Sequence, residues 1–243
     1  MEPLRLPLYQ GFFPQLALGV DELLALRRLA KERVSQLVRV VEDADCVYTW
    51  SDVPRVAGAK CQRAHFLDVR PDSKATQTST FIKASVHLVD VQADEVLAVL
   101  AQSKTRDVRK TLAFLHGERF LDAQTLLTFP TSATSKKPAY SYRAIKWCAF
   151  KGSRRSSGGS ATGSDESKNQ KKKSKTALDF CYLEYAGRKK AQPGSTVLGF
   201  IVQESLSSAR EVPHLDSYGI ARGRLSRTGI VVSRTHQSNI LQI

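Results

Sequence analysis

The chain has 243 residues, 42% of them hydrophobic and 25% charged, the proportions of one globular domain rather than of a disordered chain. No run approaches the roughly 20 apolar residues of a membrane span. The opening "MEPLRLPLYQGFFPQL" lacks the basic, apolar and small-residue succession of a signal peptide, so the cytoplasm or nucleus is the expected compartment. The formal charge is +14, but Lys151 to Lys175 alone carries eight Lys/Arg against Asp165 and Glu166, a net +6 that leaves +8 for the rest. Cys46, Cys61, Cys148 and Cys181 are far apart and form no C-x-x-C pair, which argues against a zinc module or a disulfide framework and reads them as small buried hydrophobes.

From about Asp21 to Asp43, Leu23, Leu26, Ala30, Val34, Leu37, Val38 and Val41 recur at helical spacing, with Asp21 and Glu22 suited to the first turn. "AHFLDVR" is a weak strand. "STFIKASVHLVDV" alternates, which predicts Ile82, Ala84, Val86 and Leu88 on one face and Lys83, Ser85 and His87 on the other. Two short helices follow. "QADEVLAVLAQS" sets Val96, Val99 and Leu100 on one side, and "TRDVRKTLAFLHG" points Val108, Leu112 and Leu115 inward, with Gly117 as its cap. Strands are then expected over about 120–129, 140–150, 178–186, 196–206 and 219–234. The order is α+β with an antiparallel sheet. The polar tract from 151 to 177 joins two of these strands as an overgrown, disordered hairpin loop.

Motifs for catalysis or metal binding are missing from this pattern. There is no phosphate-binding glycine loop, no H-E-x-x-H and no G-x-S-x-G, and His65, His87, His116, His214 and His236 never pair at ligand spacing. Asp179 and Glu184 fall on opposite faces of one strand, which reads as a hydrogen-bonded Asp and an exposed Glu. The polar set Lys83, Ser85, His87, Asp122 and Gln124 is opposed by an apolar set: Ile82, Val86, Leu88, Leu121, Leu127, Phe129, Ile145, Trp147, Leu198, Phe200 and Val202. Such a face must be covered.

The segments "GFFPQLALGVDELLALRRLAKERVSQLV", "STFIKASVHLVDVQADEVLAVLAQ", "YRAIKW", "LDFCYLEYAG", "VLGFIVQES" and "VPHLDSYGIARGRLSRTGIVV", with Trp50 between the first two, resemble in their order START-like lipid-binding domains. They are closest to the oomycete group in which such a domain often precedes a FYVE zinc finger, a finger absent here. The family's Arg-Asp-aromatic strand motif is Leu178-Asp179-Phe180 in this chain, so the Asp matches and the Arg does not. A later Arg before a Gly-centred turn is matched by Arg222 and Gly229.

The resemblance implies a helix-grip fold over residues 11–236, a curved antiparallel sheet around the long helix, with 237–243 as a short tail. The C-terminal strand and lid helix of such domains are expected to be missing after "HQSNILQI", which would leave the cavity open and part of the apolar set facing water. The function it implies is non-catalytic binding of a lipid in an apolar cavity, for transfer or sensing, without cofactor or metal. The cavity would be lined by Ile82, Val86, Leu88, Leu127, Phe129, Ile145, Trp147, Leu183, Tyr185, Phe200 and Val202. Closed core is the competing reading of the same residues. Lys171, Lys172, Lys173 and Lys175 would hold the domain near an anionic membrane, a cytoplasmic protein attached peripherally. The alternative is a basic nuclear or nucleic-acid-associated protein that uses this Lys-rich run, but the run lacks the interleaved aromatics that stack on bases.

Overall fold

The computed structural model describes residues 4–43, 46–54, 58–69, 76–130, 138–152, 177–190, 192–206, 212–237 and 239–243. The long helix is α1, Val20–Glu42. Gly19 has no side chain to cap it; instead Glu22 reaches back and accepts the Gly19 N–H at 2.9 Å, half of a capping box. The helix stops where Asp43 takes a left-handed φ of 41° and donates its N–H to the Arg39 carbonyl at 2.8 Å.

Strands β1 (Ser51–Asp52), β2 (Lys60–Val69) and β3 (Thr76–Ser85) make a small antiparallel sheet. After Val86, β4 (His87–Val89) belongs to a larger one, and α2 (Ala93–Leu100) and α3 (Thr105–His116) follow. A meander of β5 (Phe120–Thr128), β6 (Tyr142–Phe150), β7 (Ala177–Arg188) and β8 (Val197–Ser205) comes next. The chain ends with β9 (Ile220–Arg222), β10 (Thr228–Arg234) and β11 (Ile240–Gln242). The large sheet runs β4-β11-β10-β8-β7-β6-β5, with β9 parallel to β7. Val86 and Ile243 exchange two backbone hydrogen bonds of 3.0 Å, one further rung of the β4–β11 ladder, so residues 76–89 pass directly from one sheet into the other. The fold is α+β, a curved and almost wholly antiparallel sheet with few helices.

Several expectations need correction. The strand expected over 219–234 is two, because the chain leaves the sheet at Gly223 and turns at Arg227, whose φ is 52°. Gly229 is not in a turn; it pairs with Val202 inside β10. The segment 237–243 is not a loose tail, and the C-terminal strand is not missing, since β11 pairs with both β10 and β4. Nor does the packed unit begin at residue 11, because Leu8 is buried in the main core. On α2 it is Leu97, not Val99, that enters the core, and Leu115 of α3 is exposed.

Both faces of the large sheet are covered. On one face α1 lies across β7, β8 and β10, with Val38 against Val197 and Val231. A Cβ on Gly229 would stand 2.6 Å from Leu37 Cδ2, so the bare glycine is what lets α1 come this close. On the other face α2 and α3 pack through Leu97 and Val108. There Gly199 plays the same part, since its Cβ would lie 2.5 Å from Leu97 Cδ1.

Candidate functional site

In β6 and β7 alternate side chains point to opposite faces, and the register Ile145↔Leu183 and Trp147↔Cys181 puts these four on the α1 face. Leu127 pairs with Ile145 and Val202 with Tyr185. The Phe200 ring meets that of Tyr185 edge-on at 4.9 Å. Eight of the expected cavity residues, Leu127, Phe129, Ile145, Trp147, Leu183, Tyr185, Phe200 and Val202, therefore share one face. The other three do not join them. Leu88 lies under α2 beside Leu241, Val86 follows its alternation, and Ile82 is 77% exposed. On β3 the inward side is Phe81 and Lys83, whose ammonium sits 4.1 Å above the Trp50 ring. Burial there, only partly offset by Asp43, lowers the Lys83 pKa.

The chain's own N-terminus covers the shared face. Leu4, Leu6, Leu8, Phe12, Phe13, Leu16 and Leu18 run along it as a strap, and Phe13 meets the indole of Trp147 at 5.1 Å. Trp147 is 0% exposed and packs beneath the strap. The strap is fixed by polar groups expected on the opposite face. Asp122 accepts the Leu8 N–H at 2.7 Å and Arg109 Nε at 2.7 Å. Arg109 also donates to the Leu8 carbonyl at 2.9 Å, and Gln124 to that of Tyr9 at 3.2 Å. Asp122 and Gln124 sit opposite Ala149 and Trp147 because β5 carries bulges between Phe120 and Asp122 and between Thr125 and Leu127, each of which breaks straight alternation.

Two buried ionic networks flank β6 and β7, one on each face. On the strap side Asp179 accepts from Trp147 Nε1 at 2.7 Å and from Arg222 Nε at 2.8 Å, while Arg222 also donates to the Pro213 carbonyl at 3.0 Å. The two residues matched to the START-like motif thus meet. On the α2–α3 side Lys146 pairs with Glu184, which is buried and not exposed as expected. Lys146 Nζ further donates to the Gln102 carbonyl at 2.6 Å and to the Tyr142 hydroxyl at 2.9 Å, and Gln203 donates to Glu184 at 2.8 Å. Burial, then the charge of Glu184, pushes the Tyr142 pKa far up. Sequence reasoning passed over this cluster. Its signal was one Lys and one Glu in otherwise apolar strands, at matching parity once the hairpin register is set. Asp179, Arg222, Lys146 and Glu184 each hold two or more partners, so the two networks tie neighbouring elements together. Cys148 and Cys181 are buried, and burial pushes the Cys181 thiol up to about 12, whereas Cys46 is exposed and no buried hydrophobe.

Open space near the eight residues is small. A hollow bordered by Arg27, Phe129, Ser141, Arg143 and Tyr185 offers about 20 Å³, room for one water-sized group. Exposed apolar side chains are spread over the surface, Tyr9, Val20, Ile82, Val89 and Val99 among them. At the C-terminal end of α3, Phe114 is 88% and Leu115 51% exposed, with Lys110 one turn back on the helix. The Lys151 N–H donates to the Arg119 carbonyl at 2.8 Å, so the basic tract departs from the chain beside these residues. Lys171, Lys172, Lys173 and Lys175 lie outside the described residues. No protein-family model and no curated protein matches the chain.

Proposed function

We propose that this chain is a non-catalytic lipid-binding domain of the START-like, helix-grip kind, and that it works against an anionic bilayer. The observation that carries the reading is the tip of α3, where Phe114 and Leu115 stand out into solvent beside Lys110, Arg119 and Lys151. An aromatic and an aliphatic side chain held out together next to cations suit the headgroup boundary, where apolar groups sink and Lys or Arg meets phosphate. The adjoining tract adds its net +6, and a basic residue held near such a surface contributes about 1 kcal/mol. No described helix is long and apolar enough to cross a membrane; the attachment proposed is to its surface. The interior part of the reading concerns the eight-residue apolar face. An acyl chain binds there by displacing Leu8, Phe13 and Leu16 of the strap, which Asp122, Arg109 and Gln124 hold by a few hydrogen bonds.

Half-burying Phe114 and Leu115 is worth roughly 2 kcal/mol together, about thirtyfold in partitioning. In co-sedimentation with phosphatidylcholine vesicles, binding should require added phosphatidylserine and weaken with salt. It should fall about thirtyfold in F114A/L115A, and fall again when Lys171, Lys172, Lys173 and Lys175 become Ala. Binding that ignores phosphatidylserine and both sets of substitutions would refute the proposal.

A further inference from the structure

The hollow beside Phe129 and Tyr185 is small but chemically one-sided. Two guanidinium groups border it, Arg27 from α1 and Arg143 from β6, together with the Ser141 hydroxyl, and no described carboxylate lines it. Arg143 lies flat over the Tyr185 ring, its Cζ 3.8 Å from the centroid. That stacking occupies the face of the guanidinium and leaves its N–H groups, which lie in the plane, to find acceptors. They find none among the described residues: Arg143 Nε is buried without a hydrogen-bond partner, and the group joins no salt bridge. Arg27 spends one N–H on the Pro130 carbonyl at 3.2 Å and likewise pairs with no described carboxylate. The stretch from Thr131 to Lys137, between Pro130 and β6, contains no Asp or Glu to serve as counterion.

Elsewhere in this chain a shielded arginine is matched with an acid. Arg222 has Asp179, Arg109 has Asp122 and Arg33 has Glu204. Arg27 and Arg143 break that pattern at the place where the packing leaves a gap. Arg143 Nε, an unpaired cationic donor shielded from water, is costly to leave so, and an anion is what relieves it. With about 20 Å³ free, the gap accepts the head of a molecule, not its body.

We infer that the Arg27–Arg143 hollow is a binding site for an oxyanion, a terminal phosphate or carboxylate group, held by both guanidiniums and the Ser141 hydroxyl. The guanidinium fork suits two oxygens of such a group at once. The site is independent of the proposed bilayer contact. It lies at the Tyr142 end of β6, whereas Phe150 and the root of the basic tract mark the other end, eight residues and about 26 Å away at strand rise. A domain docked through α3 would hold this hollow away from the bilayer, which favours a soluble oxyanion over a headgroup of the docked membrane.

Thermal unfolding of the full chain in sodium phosphate or sodium acetate, against sodium chloride at matched ionic strength, tests this. A ligand that binds only the folded state raises the midpoint in a saturable way. The expected result is such a rise with phosphate or acetate, weakened at least about tenfold in R27Q and in R143Q, and unaltered in Lys110→Gln. Arg27 sits on the outer part of α1, so R27Q carries the test if R143Q folds poorly. Dihexanoyl phosphatidate serves as a further arm. A rise with it alone, lost in R27Q, keeps the oxyanion site and assigns it to a lipid headgroup. At matched ionic strength, phosphate should leave vesicle binding unchanged, which separates this inference from the fate of the membrane reading. Equal midpoints in all four salts and ligands, or a rise retained in both Arg variants, would overturn it.

Discussion

Replacing Lys146 by Met tests whether the centre of the sheet is dry. The Lys146 and Glu184 side chains are 3% and 4% exposed, and Lys146 Nζ serves three acceptors: Glu184, the Tyr142 hydroxyl and the Gln102 carbonyl. Met fills the same volume without a charge. Glu184 then keeps only Gln203 and Tyr142, and the single Tyr142 proton must choose between Glu184 and the Gln102 carbonyl. One acceptor goes without. Removing one partner of a buried pair costs about 3–5 kcal/mol, because the surviving charge stays buried. With a urea slope of about 2–3 kcal/mol per molar, the unfolding midpoint should fall by roughly 1.5 M. The double variant K146M/E184L removes both charges and should recover most of the loss, to within about 1–2 kcal/mol of the parent. Single-variant effects that simply add, or a K146M protein within about 1 kcal/mol of the parent, would show that water reaches Glu184 and that the α2–α3 connection does not seal the face.

Two further outcomes follow from other contacts. Phe13→Ala should cost about 3–5 kcal/mol and, with Trp50 replaced by Phe, move Trp147 emission to the red as water enters under the strap; an unshifted spectrum with near-parent stability would mean the strap does not cover that face. Burial, and then the charge of Arg119, lowers the His116 pKa below its ordinary 6.5, so the unfolded chain takes up the proton first and stability should be level above that value, decline as pH falls through it, and flatten once the folded His116 is also charged. His116→Phe should remove this step from a pH series of urea midpoints, and an unchanged step would assign it elsewhere.

Periodicity located the elements better than their faces. Helix α1 could be read because seven apolar residues keep one stripe over about five turns, and β6, β7 and β8 because their alternation is long. Orientation failed where local counts are ambiguous. Val96, Leu97, Val99 and Leu100 span an arc of about 160° on α2, with Leu97 and Val99 at its two edges, so the pattern does not say which edge turns inward. Lys83 counts as outward on any polarity scale, yet its ammonium turns inward over the Trp50 ring, a cation–π contact that a polarity pattern does not register. In β5 the two bulges reverse parity, and no residue pattern announces a bulge. Residues 4–18 alternate only briefly, at Leu4, Leu6 and Leu8, which does not say where they pack. Their place follows from Asp122 and Gln124, which anchor backbone groups more than a hundred residues away in sequence, and β11 is only three residues long.

The strap changes what the apolar face means. Read from the strands alone, Ile145, Trp147, Leu183, Phe200 and Val202 need a cover, and a ligand is one candidate for it. Once Phe13 and its neighbours supply that cover, the face no longer demands anything, and a lipid chain there must compete with residues tethered to the same polypeptide at high effective concentration. The α3 tip has no such competitor among the described residues, where Phe114 and Leu115 stay exposed. The same logic separates the arginines. Arg222 and Arg109 are spoken for by acids that also hold Trp147 and the strap, so loss of either unsettles the core. Arg27 and Arg143 hold little in place by comparison, and they are the pair whose unmet donors point to something the chain does not itself provide.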